Sequence, residues 1–308
     1  MNNFSHKLYI LTQQDERYHS LLSELTLPDL EITTDKSAAT ILLAAPPLAA
    51  KELEHFPNLE WLQSIYAGVE PLVQAGMPSH YQLTNVKGIF GSLIAEYVIG
   101  YSLNFYRHFD QYKEQQKQHQ WRPHQFESLA MKTMVILGTG AIGSQLANIV
   151  KAFGVKTIGI NSSGIPPKGS PFDATYHIQE LPVALSDANI IVNTLPNTPQ
   201  THNLLNLESL SYAKDALLFN VGRGNTVEVA GLVEAIENQN ICHAYLDVFT
   251  QEPLNSDNLL WQHPAITITP HIAAPSFPNQ VIEIFADNYA KWRDGFGLNN
   301  LVDFKKGY

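Results

Sequence analysis

The sequence predicts an α/β protein of two domains, each built on a doubly wound parallel sheet. Three observations carry that prediction. Short apolar runs of strand length alternate with helical patterns along the chain. At 308 residues the chain exceeds what one core comfortably holds, and the length points to about two domains. Residues 133–143 read T-M-V-I-L-G-T-G-A-I-G. There an apolar run stops at Gly138, and Gly140 and Gly143 complete G-x-G-x-x-G.

Taken in order, residues 7–11 form a strand and 17–25 a helix. Residues 39–44 (A-T-I-L-L-A) form a buried strand stopped by A-P-P. Residues 59–65 form another, followed by the glycine turn Y-A-G-V-E at 66–70, and 81–84 a short last strand. A helical pattern then runs over 92–120, apolar at first and polar later, and is ended by Trp121 and Pro123. A helix of that length bridges domains or packs on another subunit. The boundary near its start gives a discontinuous domain, 1–100 with 275–308, and a second domain, 101–274.

The second domain opens on the glycine motif. Residues 144–153 place Leu146, Ile149, Val150 and Phe153 on one helical face. Strands follow at 156–160, 174–178, 189–194, 215–220, 242–248 and 265–268, with helices at 181–186 and 227–238. That makes about seven strands, a complete nucleotide-binding sheet. The helix at 279–293 is surplus to it and returns to the first domain.

Strand, glycine turn and helix together form a dinucleotide pyrophosphate site. The first glycine makes the turn, the second lets backbone approach phosphate, and the third lets helix pack on strand. The phosphates face a helix N-terminus, whose free N–H groups and macrodipole favour negative charge.

Composition narrows the partners. Hydrophobic residues make up 44% and charged residues 16%, as in an ordinary soluble globular protein. A net charge of −10 argues against nucleic acid and anionic membrane surfaces. Neither a signal peptide nor an apolar run long enough to span a bilayer is expected. Cys242 is the single cysteine, which excludes a disulfide framework and a cysteine metal cluster and suits a reducing cytosol. His108, His119 and His124 lack metal-ligand spacing, so no metal is expected.

In such a sheet the ligand lies beyond the carboxyl ends of the strands. Those ends carry L-P-N-T-P at 195–199, V-G-R-G-N at 221–225, F-T-Q-E-P-L at 249–254 and T-P-H-I-A-A at 269–274. Successive strand ends therefore offer Arg223, Glu252 and His271 to one place. Arg223 stands between two glycines, which lets a long side chain leave a tight turn, and its guanidinium can grip a carboxylate with two hydrogen bonds. A histidine beside a carboxylate is suited to exchange a proton near neutral pH. Alone, Arg223 reads equally well as a surface side chain, Glu252 reads as a solvated loop acid and His271 more readily as a structural residue; their coincidence at adjacent strand ends carries the argument.

G-T-G-A-I-G, N-V-G-R-G, D-V-F-T-Q-E-P-L and T-P-H-I-A-A, in this order and spacing, resemble the D-isomer-specific 2-hydroxyacid dehydrogenases. The resemblance extends to A-G-V-E at 67–70, W-Q-H-P at 261–264 and L-P-N-T-P-Q-T at 195–201. The chain's length, the polar helix ending Q-W-R-P and the terminal K-K-G-Y are most similar to the glyoxylate/hydroxypyruvate reductase A group.

The resemblance implies two Rossmann-like or flavodoxin-like domains with the active site in the cleft between them, and a cytoplasmic homodimer using helix 92–120. It implies that Arg223 binds the substrate's carboxylate and carbonyl, that His271 is the acid/base, and that Glu252 keeps His271 protonated. Backbone at Ala67, Gly68 and Val69 would cradle the carboxylate. The cofactor would meet Gly138, Gly140, Ala141, Ile142, Gly143, Leu195, Pro196, Val221, Gly222, Ala273 and Ala274, with Asp247 on the nicotinamide carboxamide. The reaction implied is hydride transfer from NAD(P)H to C2 of a small 2-oxo acid, with domain closure excluding water. Two alternatives remain: a nucleotide-sensing protein without turnover, and a 3-phosphoglycerate-type dehydrogenase, for which no cluster of cations is visible in the first domain.

Three positions depart from the pattern. Where NAD-specific relatives carry an acid after the second strand, this chain has Asn161, Ser162 and Ser163, which favours NADP(H) while leaving NAD open. The arginine of many NADP-dependent relatives is absent, and Lys168 is the nearest cation. Ala273 and Ala274 replace the more usual Gly or Ser and remove a hydroxyl contact to the cofactor. Tyr66 either favours small acids such as glyoxylate or packs as an ordinary aromatic.

Overall fold

The computed structural model describes residues 5–305 and 307. Residues 1–4, part of the stretch read for a leader, lie outside the described residues, as do Lys306 and Tyr308 of the K-K-G-Y motif. The chain forms two compact units, one from the residues up to Ile89 and from Ser276 onward, the other from Phe90–Pro275.

The first unit contains β1 (His6–Leu11), α1 (Asp15–Ser23), β2 (Leu30–Ile32), β3 (Ile41–Ala44), α2 (Pro46–Glu52), β4 (Trp61–Ser64) and β5 (Gln82–Thr84). The strands pair in parallel in the order β2-β1-β3-β4-β5. β3 and β4 are buried along their whole length, as central strands covered on both faces must be. α2 starts on Pro46 and Pro47, which suit a helix's first turn because they lack N–H groups that would find no partner there.

The second unit opens with α3 (Phe90–Tyr106) and α4 (Phe109–Lys117). The single helix expected over 92–120 is therefore broken. His108 has φ 57°, a left-handed conformation that a right-handed helix cannot continue through. α3 buries Ile94, Ala95, Val98 and Ile99 in the core of this unit, so the boundary lies at Ile89/Phe90, not at residue 100.

The nucleotide sheet follows: β6 (Thr133–Leu137), α5 (Ala141–Val150), β7 (Lys156–Asn161), β8 (Ala174–His177), α6 (Leu181–Ser186), β9 (Ile190–Asn193), α7 (Leu207–Leu210), β10 (Ala216–Asn220), α8 (Val229–Glu237), β11 (Ile241–Leu246) and β12 (Ile266–Ile268). Its seven strands run parallel in the order β12-β11-β10-β9-β6-β7-β8. This is the doubly wound order of dinucleotide-binding sheets with one strand added at an edge. The order reverses between β6 and β9, where such sheets open a crevice for ligand.

α9 (Pro278–Arg293) belongs to the first unit. The Phe285 ring stacks on Trp61 of β4 at 5.2 Å. Asn288, fully buried, donates to Gln63 Oε1 at 3.2 Å, and Gln63 also accepts from Thr84 at 2.8 Å. Each buried polar group there finds a partner, so the network joins helix to sheet without stranding a dipole.

Candidate active site

The glycine motif at the end of β6 meets three separate demands. Gly138 has φ 103°, open to glycine, and a Cβ there would lie 2.6 Å from Thr194 Oγ1. A Cβ on Gly143 would lie 1.9 Å from the Gly138 carbonyl oxygen, so α5 can approach the strand end only without a side chain. A Cβ on Gly140 would meet nothing within 4 Å. Gly140 caps α5, and the N–H groups of Ala141, Ile142 and Gly143 lead the helix. Open space before a ten-residue helix N-terminus is where a pyrophosphate fits, so these residues suit a dinucleotide.

Asn161, at the end of β7, works inside its own loop. It donates to Thr139 Oγ1 at 3.0 Å and to the Ile165 carbonyl at 2.8 Å. Its Oδ1 accepts from Ser163 N, Ser163 Oγ and Gly164 N. One amide proton ties the loop to Thr139 and the other shapes the 161–165 loop itself, and beside it Ser162 and Ser163 are exposed, Ser163 bonded within the loop.

The next strand ends are tied by a pair that sequence reasoning missed. Asn193 and Asn220 end the neighbouring strands β9 and β10, are buried, and join by Asn193 Nδ2 donating to Asn220 Oδ1 at 2.8 Å. Asn193 Oδ1 accepts from Leu195 N, and Asn220 Nδ2 donates to the Arg223 carbonyl. The pair holds the 195–196 and 221–223 backbones in register. Its only signal is an asparagine closing each of two apolar runs.

Arg223 does not sit in a tight turn, as the flanking glycines first implied. Its backbone is extended, φ −139° and ψ 143°. The glycines permit close approach: a Cβ on Gly222 would lie 2.8 Å from the Leu195 carbonyl oxygen, and one on Gly224 2.1 Å from the Phe249 carbonyl carbon. The Arg223 side chain donates to the Gly222 carbonyl at 2.7 Å.

That packing brings the arginine strand end against the loop carrying Glu252. Glu252 Oε1 accepts from Phe249 N at 2.8 Å, and Oε2 lies 2.8 Å from His271 Nδ1. A carboxylate can only accept, so Nδ1 carries the proton and leaves Nε2 for chemistry. His271 has φ 54°, a conformation costing a non-glycine residue about 1–3 kcal/mol, which its surroundings must offset. Its N–H donates to the Asp247 carbonyl at 2.9 Å. The buried Asp247 carboxylate accepts from Thr269 Oγ1, Ile272 N and Ala273 N at 2.6, 2.8 and 3.0 Å.

These features sit in a stretch, residues 99–273, that matches the family described as D-isomer specific 2-hydroxyacid dehydrogenase, NAD binding domain. The chain belongs to the D-isomer-specific 2-hydroxyacid dehydrogenases. It is 30% identical to a glyoxylate/hydroxypyruvate reductase A of Serratia proteamaculans over 89% of each chain. A crystal structure of a family protein from Aeromonas salmonicida subsp. salmonicida superposes with a TM-score of 0.91 at 41% identity, covering 97% of this chain and 99% of that one. A Xanthobacter autotrophicus dehydrogenase in complex with NADPH and MES gives 0.86 at 26% identity, covering 99% and 100%.

As an NAD(P)-dependent dehydrogenase, the chain presents its polar groups at successive strand ends. Ala273 is buried in the core cluster that α3 helps to form. Ala274 is half-buried. In the other unit, the 66–69 loop is held by its own contacts. Ser64 Oγ accepts from Tyr66 N at 3.0 Å, Asn85 donates to the Ala67 carbonyl at 2.7 Å, and Val69 is buried. The Tyr66 hydroxyl faces Gln13 Oε1 at 3.4 Å. Cys242 is pushed up to about 12, chiefly by burial, and offers no thiolate nucleophile. Among the described residues no group of three His, Cys, Asp or Glu could hold a metal ion, and no helix is long and apolar enough to cross a membrane.

Proposed function

We propose that the protein reduces a small 2-oxo acid of the glyoxylate or hydroxypyruvate type to the D-2-hydroxy acid, using NADPH. The observation that carries this reading is the 2.8 Å Glu252–His271 pair beside the Arg223 strand end. With the cofactor's pyrophosphate held at the glycine turn, its reduced nicotinamide would supply the hydride. Arg223 binds the carboxylate and carbonyl of the acid and stabilises charge developing on the carbonyl oxygen. His271 gives its Nε2 proton to that oxygen, while Glu252 accepts from Nδ1–H and holds the ring in place. Backbone at Ala67, Gly68 and Val69 is proposed to bind the carboxylate, and Asp247 to serve the carboxamide.

NADPH is favoured because no acid stands at the end of β7 to repel a 2′-phosphate, and because the Xanthobacter relative is recorded with that cofactor. The exposed Ser162 is the side chain we assign to the 2′ position. We further propose a homodimer formed through the α3–α4 region, where the following segment exposes Trp121, Phe126 and Met131. Sedimentation at the mass of one 34.4 kDa chain would remove that assignment.

The test is a matrix of NADPH and NADH oxidation with glyoxylate, hydroxypyruvate and longer 2-oxo acids. Oxidation of NADPH by the short acids is expected. No oxidation with any acid would leave a nucleotide-sensing protein as the better reading.

A further inference from the structure

The polar contacts around His271 extend further than the catalytic pair. Thr269 has one hydroxyl proton, and the 2.6 Å contact to the Asp247 carboxylate takes it, since a carboxylate cannot donate. The 2.7 Å contact between Tyr97 and Thr269 must then be donated by the tyrosine. The chain therefore runs in one direction, from Tyr97 O–H to Thr269 O–H to the Asp247 carboxylate. That carboxylate ends on Ile272 N and Ala273 N. Thr269, Ile272 and Ala273 bracket His271 on both sides, and Asp247 is 2% exposed.

We propose that Tyr97 and Thr269 are positioning residues for His271. On this proposal they fasten α3, through the Asp247 carboxylate, to a loop whose central residue stands in a left-handed conformation. The proposal rests on the reading of His271 as the acid/base. It also gives Asp247 a second duty besides any contact to the cofactor. Without the Thr269 hydroxyl, Asp247 Oδ1 loses a donor and the loop loses its tie to α3. His271 then relaxes from φ 54° and carries Nε2 away from the substrate oxygen. Burial holds the Tyr97 phenol above its ordinary range, the neighbouring Asp247 charge adding to it, so the hydroxyl stays a neutral donor at working pH. The Tyr97 ring also packs edge-on against Tyr101 and Phe219. Tyr97→Phe keeps that packing and removes only the hydrogen bond.

Three variants test the proposal in the full-length protein: Tyr97→Phe, Thr269→Val and Thr269→Ser. Amide hydrogen exchange over 270–275 is read alongside kcat, KM and the pH profile of kcat with glyoxylate. Thr269→Val should speed exchange at Ile272 and Ala273 and lower kcat, each by about tenfold, as one lost charge-assisted hydrogen bond implies. It should leave KM within about twofold and displace the pH profile, because the imidazole no longer faces the same neighbours. Thr269→Ser should restore all of these, and Tyr97→Phe should move them the same way to a smaller extent. Exchange and kcat unchanged in both Thr269→Val and Tyr97→Phe would overturn the proposal. So would a Thr269→Ser variant as impaired as Thr269→Val, or a loss spread equally over kcat and KM with the pH profile unmoved. Should the wild-type protein reduce no 2-oxo acid, the proposed function falls, and the exchange arm alone decides whether the chain of hydroxyls holds the loop.

Discussion

His271 combines an exposed imidazole with a backbone locked from below. Glu252 fixes the ring through Nδ1, and the Asp247 carboxylate holds the main chain after it and the Thr269 hydroxyl before it. This division of labour makes the ring removable without unmaking the loop. His271→Ala should therefore lower kcat by about 10²- to 10⁴-fold, the usual weight of a general acid, while NADPH binding followed by fluorescence persists. Loss of binding in that variant would count against the acid/base role. Asn161 is the opposite kind of residue. Its two donated protons hold the loop after β7, so Asn161→Asp sets a carboxylate against the Ile165 carbonyl and weakens both cofactors together. Ser162→Asp leaves that frame standing and adds charge at the 2′ position. The NADPH-to-NADH ratio of kcat/KM should fall by an order of magnitude or more, and a constant ratio would show that the 2′ group is read elsewhere.

At the scale of an element, β6 and α5 are joined by a glycine carbonyl and a glycine Cα. Gly143→Ala drives a methyl group into the Gly138 carbonyl, and both partners are backbone. A loss of roughly 1–3 kcal/mol in denaturant midpoint titrations is expected, along with loss of NADPH binding. Gly140→Ala meets open space, so it should cost no more than about 1 kcal/mol while still weakening NADPH. Equal destabilisation by the two would contradict the separate roles. β11 and β12 carry a titrating contact of their own. His243 Nε2 lies 2.8 Å from Thr267 Oγ1, and the ring packs on Phe105 and Tyr245. Burial, reinforced by His263 and opposed by Asp110, holds its imidazole below the ordinary value. The unfolded chain then takes up a proton that the folded chain refuses. His243 thus costs nothing above about pH 6.5, and below it erodes stability until the folded pKa is passed. His243→Gln should flatten the fall in Tm on acidification, and an unchanged slope would place the loss elsewhere.

The same elements show what local sequence carries. β6, β9 and β10 stand out because each is an apolar run ended by a glycine or an asparagine. The 133–143 motif is legible because each glycine answers a neighbour only a few residues away or a fixed ligand geometry. β2 is three residues, L-E-I, too short for any periodicity. α2 hides behind a double proline that reads as a turn. The break at His108 has no glycine or proline to announce it. The Asn193–Asn220 pair and the Tyr97–Thr269–Asp247 chain join residues 27 and 172 apart, so only the fold reveals them.

On the scale of the whole molecule, cofactor and stability are coupled through one of the two units. A ligand that binds the native state at a hundredfold excess over its Kd adds about 2.7 kcal/mol. NADPH should therefore raise Tm by several degrees, with exchange protection centred on 138–143, 161–165, 193–196 and 221–223. Protection centred on β1–β5 instead would mislocate the site. The two units also differ in how the chain composes them. The nucleotide unit is a single uninterrupted stretch, Phe90–Pro275. The other is sewn shut by late residues: α9 stacks Phe285 on Trp61, Leu301 bridges Thr84, and Val302 donates to the Leu83 carbonyl. During synthesis its strands emerge first and must wait, with β4 and β5 uncovered, until these residues arrive. The order of birth is thus the reverse of the order of completion: the stretch begun second can close around its cofactor before the stretch begun first has its last helix.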